Sequence, residues 1–192
     1  MERAHSLVVN AHKWLFTPMD LSVFYTRRPD ILRRAFTLVP EYLRTPENPR
    51  AVNLMDYAIP LGRRFRALKL WLTLREQGAE AIRARLRRDL ANAQWLAAQI
   101  DAAPHWRRVA PVVLQTVCVR HEPPGLDAAA LDAHTRRWTQ AINDSGVAYL
   151  TPAVVDGRWM TRVSIGMELT EAVHVGELWQ AMRAAADASA SA

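Results

Sequence analysis

The apolar and polar positions of this chain change rhythm several times, and each rhythm predicts an element. Residues 7–9 are apolar and 21–28 alternate, so two short strands are expected around a polar turn, AHKWLFTPMD. Pro29-Asp30 opens a short helix through about Phe36. The stretch 40–53, PEYLRTPENPRAVN, holds three prolines and no periodicity. A loop this long inside a compact enzyme is often a lid or a binding loop. Residues 63–78, RRFRALKLWLTLREQG, are apolar around most of the helical circumference and stop at glycine, which predicts a buried helix. The next helix, 79–103, sets Ile82, Leu86, Leu90, Ala93, Ala97 and Ile100 at three- and four-residue spacing. Its other face is arginine-rich, with Arg83, Arg87 and Arg88 exposed.

After Pro104 the period shortens. VVLQTVCVR, 112–120, reads as a strand, and 128–144 reads as a helix ending at Gly146. Two strands follow within 147–155 and 159–167, joined by Asp156-Gly157, a strong hairpin signal. Thr170 is the expected N-cap of a last helix that carries Val175, Leu178, Trp179 and Met182 on one face, and the tail AAADASASA is expected to fray. Strand, helix, hairpin and helix describe a small α+β unit, with a boundary near 103–110. No internal repeat is visible.

Composition narrows the class. The chain is 50% hydrophobic over 192 residues, enough for a sizeable core, and no apolar run approaches the roughly 18 residues of a membrane span. One cysteine, Cys118, excludes an internal disulfide and a CxxC metal site; alone in an apolar run, it is expected in the core. These features point to a soluble cytoplasmic protein. The net charge of +6 comes from dispersed arginines, which reads as a solvated surface rather than a nucleic-acid interface. Only two lysines, Lys13 and Lys69, stand among 25 basic residues. A guanidinium cannot act as an amine nucleophile and a lysine can, so each lysine in so arginine-rich a chain draws attention.

No GxSxG, GxGxxG, P-loop or HExxH is present, and the six histidines lack metal-ligand spacing. Asp20 and Glu41 are candidate acid–base partners for Lys13. Three motifs remain in order: NAHKW at 10–14, PEYLRT at 40–45, and DYAIPLGRRFRALKLW at 56–71. Together they resemble the group II pyridoxal-phosphate decarboxylases, the family of aromatic-L-amino-acid decarboxylase, through to about Met182. Ala11 stands where that family usually has proline, and His5 where it has aspartate.

The resemblance implies a fold-type-I transferase fragment, α/β plus α+β. Residues 1–60 would be the end of the large cofactor-binding domain, with the catalytic loop at about 40–53. Long connecting helices would occupy 61–103, and a small C-terminal α+β domain with a short antiparallel sheet would occupy 104–192. It implies pyridoxal 5'-phosphate as cofactor, an aromatic L-amino acid as substrate, an amine and carbon dioxide as products, and a homodimer in the full-length form. By the same resemblance Lys13 is the amine that condenses with the cofactor aldehyde. Partial burial beside Trp14 would disfavour its charged form; the plain alternative is a lysine snorkelling past a tryptophan. Asn10 matches the position whose amide reaches the cofactor phosphate. His12 either contacts cofactor or substrate, or satisfies backbone groups of the turn. Tyr42 matches the loop tyrosine that returns a proton after decarboxylation, a position commonly phenylalanine in aldehyde-forming relatives. Gly62 matches a substrate-pocket position with room for an aromatic side chain. Arg63 and Arg64 fit either anion pairing or a structural role, and Tyr57 reads as packing.

Family members are more than twice as long as this chain, and MERAHS resembles an interior segment. The chain is therefore expected to be a fragment with little activity alone and with exposed apolar surface. A second reading is a non-catalytic remnant that dimerises, or that binds acidic partners through its arginine-rich helix.

Overall fold

The computed structural model describes residues 2–37 and 52–190. The chain divides into two compact units, Met1–Ala79 and Glu80–Ala192. The expected boundary lay near 103–110. The division falls earlier because the long helix contributes Ala93, Leu96 and Ile100 to the core of the second unit.

In the first unit, β1 (Ser6–Val9) and β2 (Val23–Thr26) form an antiparallel pair with Ser6 opposite Thr26 and Val9 opposite Val23. Between them lies α1 (Ala11–Trp14), a single turn. Helix α2 (Pro29–Phe36) starts as expected at proline, where the missing N–H costs nothing, and Asp30 in its first turn accepts from Arg28. A 3-10 turn, Leu54–Tyr57, precedes α3 (Ala67–Gln77), which ends at Gly78 with φ of 78°. This helix was expected to be buried. Instead Leu68, Trp71, Leu72 and Leu74 are exposed, and Thr73 is its only buried residue. Its all-round apolar surface has too few partners among the described residues to cover it. Phe24, Ile59, Leu61 and Phe65 are likewise exposed, the apolar surface anticipated from the sequence.

The second unit is a four-stranded antiparallel sheet, order β3-β4-β6-β5, formed by β3 (Trp106–Arg108), β4 (Thr116–His121), β5 (Thr151–Val155) and β6 (Arg158–Ser164). Its core joins strand residues Val117, Val119 and Val163 to side chains of α4 (Ala79–Ala102), α5 (Ala128–Ser145) and α6 (Ala172–Ala190). Burying each large apolar side chain here contributes roughly 1.5–3 kcal/mol. The Asp156-Gly157 turn is present, with φ of 52° and 74°, both positive as a two-residue hairpin of this hand requires. Gly146 caps α5 at φ of 75°, and the Asp127 side chain accepts from the Ala130 amide at its other end.

Several sequence expectations need correction. Strand alternation turns Cys118 away from Val117 and Val119, so it is half-buried rather than in the core, and burial pushes its thiol pKa up. Strand β4 begins at Thr116, not Val112, and β3 was not foreseen because three residues carry no readable period. On α4, Leu86 and Leu90 are only half-buried, while Asp89 and Asn92 are buried. Arg88 is half-buried and donates to the Glu168 carbonyl. The N-cap of α6 is Glu171, not Thr170: the Glu171 carbonyl accepts the first helical bond from Val175, and its amide donates to His174 Nδ1. The tail does not fray before Ala190, since Ala186 is fully buried and Arg137 donates to the Ser189 carbonyl.

Candidate active site

The turn between β1 and β2 brings three of the sequence-predicted residues together. Amides of Lys13 and Trp14 donate to the Asn10 carbonyl at 2.9 and 3.1 Å, and Leu15 and Thr17 donate to the Ala11 carbonyl. These bonds close one helical turn over the buried methyl of Ala11. The neck of the turn is tied twice. The His12 amide donates to the Leu21 carbonyl at 3.1 Å, and the Ser22 hydroxyl donates to Asn10 Oδ1 at 2.5 Å.

His12 faces the neck. Its Nδ1 lies 2.7 Å from the Leu21 carbonyl oxygen and 3.2 Å from the Leu21 amide, so backbone groups of the turn occupy that nitrogen and Nε2 is the one left for a ligand. Lys13 is exposed, not partly buried as expected, and its ammonium makes no ion pair among the described residues. One turn of helix has too little surface for Trp14, itself half-buried, to cover a neighbouring four-carbon stem.

The two lysines have different fates. Lys69 Nζ lies 3.8 Å from Asp20 Oδ1, while Arg66 Nε and Nη2 lie 3.0 and 2.9 Å from Asp20 Oδ2. Hydrogen bonding from Arg66 comes first among the influences that hold the Asp20 carboxyl at about 2. Asp20 is therefore a partner of Arg66 and Lys69, not of Lys13. Its pairing spans 46 residues of sequence and was invisible in the motif.

Gly62 is exposed, and a Cβ added to it would meet nothing within 4 Å. No hydrogen bond or ion pair joins it to the Lys13 turn among the described residues. Arg63 and Arg64, both exposed, line a groove of about 370 Å³ with Leu21, Ser22, Pro60 and Phe65. Tyr57 lines a larger apolar groove of about 970 Å³ beside Phe24, Leu32 and Phe36. Tyr42 and Glu41 lie outside the described residues. No group of three or more His, Cys, Asp or Glu among the described residues could hold a metal ion, and no described helix is long and apolar enough to cross a membrane.

On α4 the arginine face is partly engaged. Arg83 pairs with Glu80, Arg85 with Glu168 at 3.3 Å, and Arg88 with a carbonyl, which lowers its free charge.

The amine of Lys13, the side-chain amide of Asn10 and Nε2 of His12 share one turn, and this set of groups suits a ligand carrying both an aldehyde and a phosphate. Comparison with known proteins gives the turn a family. Residues 1–122 match the family model described as the pyridoxal-dependent decarboxylase conserved domain. A tryptophan decarboxylase of Camptotheca acuminata, TDC2, is 33% identical over 191 residues, which are 98% of this chain and 38% of that protein. A phenylacetaldehyde synthase of Arabidopsis thaliana is 33% identical over 182 residues, 94% of this chain and 37% of its own length. The crystal structure of Oryza sativa TDC with PLP and tryptamine superposes with a TM-score of 0.87 at 30% identity, over 97% of this chain and 39% of that one. The chain thus spans about 38% of the length of the curated relatives it matches. A match across its first 122 residues, holding both the NAHKW turn and the LGRRFR run, establishes that the chain belongs to the pyridoxal-dependent decarboxylase family.

Proposed function

We propose that this chain carries the cofactor lysine of a pyridoxal-phosphate-dependent carboxy-lyase, which converts an aromatic L-amino acid to its amine and carbon dioxide. In the assembled protein it acts as a cytoplasmic homodimer. The observation that carries the reading is the exposed amine of Lys13, without an ion pair among the described residues, on a turn tied at its neck, in a chain whose only other lysine is held by Asp20.

When bound, pyridoxal phosphate supplies an aldehyde for an amine and a ring that withdraws electrons from the bond to be broken. Lys13 would provide the amine that holds the aldehyde end of that group. Asn10 would offer Nδ2 as a donor to the anionic end, and His12 would present Nε2 to the ligand, while the Leu21 backbone fixes the imidazole plane through Nδ1. Tyr42 gives its phenolic proton to the substrate Cα after carbon dioxide leaves, a task that suits a phenol un-ionised at neutral pH. Gly62 leaves the space that a large aromatic side chain needs.

The relatives include both amine-forming and aldehyde-forming enzymes by name, and retention of tyrosine at position 42 supports the amine. The test is trapping with borohydride in the presence of pyridoxal phosphate, followed by peptide mass mapping. Two lysines make the map simple. Added mass is expected on Lys13 and absent from Lys13→Ala, and label shared equally between Lys13 and Lys69 would refute the assignment.

A further inference from the structure

The turn that presents Lys13 is stapled at its neck by the Asn10–Ser22 and His12–Leu21 bonds. The returning limb, which enters that neck at Leu21, carries a further tie. Beyond Thr17, whose amide reaches back to Ala11, the chain runs through Pro18 and the exposed Met19 before returning. Asp20 stands on the returning limb, immediately before Leu21, and its carboxylate divides itself between two cations at the start of α3. Oδ2 accepts from Arg66 at 2.9–3.0 Å, and Oδ1 lies 3.8 Å from Lys69.

We infer that Asp20 is a positioning residue: through Arg66 and Lys69 it anchors the returning limb of the Lys13 turn to α3 and holds the second lysine away from competing chemistry. The inference rests on the reading of Lys13 as the cofactor amine and extends it to residues that never touch the cofactor. The neck bonds tie the two limbs of the turn to each other; the Asp20 pairs tie the returning limb to α3, so the amine is presented in one direction relative to that helix. The chemistry of the pair suits the task. Arg66 brings two nitrogens of its planar fork to one carboxylate oxygen, which sets direction as well as distance. All three side chains are partly exposed, so the contribution to overall stability is small and the effect is local. Segment 62–69 otherwise carries Arg63, Arg64, Arg66 and Lys69 with no acid of its own, so Asp20 is also the nearby counter-charge that lets this cationic helix start lie against the turn.

The test is amide hydrogen exchange on the whole chain, with Asp20→Asn, Arg66→Gln and the charge exchange Asp20→Arg/Arg66→Asp. Opening of the turn should expose the amides of Lys13, Trp14, Leu15 and Thr17 about three- to fivefold faster in both single variants. The β1–β2 ladder should keep its rate, since a merely structural loss would quicken both together. The charge exchange should return the turn to within about twofold of the parent chain. Unchanged exchange at the four amides, equal acceleration of the ladder, or failure of the charge exchange to restore protection would each overturn the inference. Borohydride trapping provides the second readout: Asp20→Asn should lose incorporation at Lys13 severalfold while Lys69 gains. If exchange responds as stated but the parent chain never favours Lys13 in trapping, the cofactor reading falls and the anchor stands. If Lys13 is trapped but exchange does not respond, the anchor alone falls.

Discussion

Acid should unfold the second unit through a pair of histidines at its centre. His121 Nδ1 and His134 Nε2 lie 2.9 Å apart, and both rings are buried, His134 completely. At that distance one nitrogen donates and the other accepts, so the contact tolerates one proton; a second would set N–H against N–H away from water. The groups around the pair give little relief. Trp106 lies tilted 4.8 Å from His121, His105 lies at 6.4 Å, and Arg137 opposes a charge on His134; among the described residues, Asp187 and the Ser189 backbone favour one. Burial above all, then the charge of His134, lowers His121 from 6.5 to about 4, and burial lowers His134 as well. The native state therefore binds fewer protons than the unfolded chain between these values. Stability is complete above pH 6.5 and is lost as pH falls towards 4.

At about 1.4 kcal/mol per pH unit, a lowering of this size removes on the order of 3 kcal/mol once both states are protonated. Against a total of roughly 5–15 kcal/mol for a domain, that is a large fraction. Asp89 works in the opposite direction, because burial raises its pKa and protonation relieves it. Asp20, held at about 2, loses its contribution only below pH 3.8, outside this window. Urea unfolding followed by near-ultraviolet dichroism of Trp106, Trp138 and Trp179 reads the second unit directly. His121→Gln/His134→Gln should flatten the profile between pH 6.5 and 4. A parent chain with no loss across that interval, or a double variant with the same slope, would refute the reasoning.

Two further changes probe the same unit. Arg120 is buried and donates to the carbonyls of Trp159, Val155 and Arg158, gathering the β5–β6 hairpin onto β4. Arg120→Met should cost about 3 kcal/mol in urea unfolding, because it strands those carbonyls, and a cost under a few tenths would show that the clamp is idle. Gly146→Ala places a side chain at φ of 75° and should cost about 1 kcal/mol by the same measurement, with the α5 hydrogen bonds otherwise intact.

Local signals were legible wherever one residue type decides the backbone. Gly78 and Gly146 end their helices, Asp156-Gly157 turns its hairpin, and the four expected apolar residues of α6 are all buried, because periodicity and positive φ are properties of short stretches. The turn that carries Asn10, His12 and Lys13 was legible as a motif for the same reason. What tertiary structure decided is what no short stretch contains. Strand pairing turned Cys118 out of the core, and packing of α5 on β4 set His134 against His121. Packing of Ala186 carried the last helix through a stretch whose composition predicts fraying. Asp20 found Arg66 and Lys69 across a long interval, although each charge alone reads as a solvated one. Composition and spacing specify what each residue can do over one or two turns of chain; which distant partner it meets depends on how the elements pack, and that is decided by the whole fold at once.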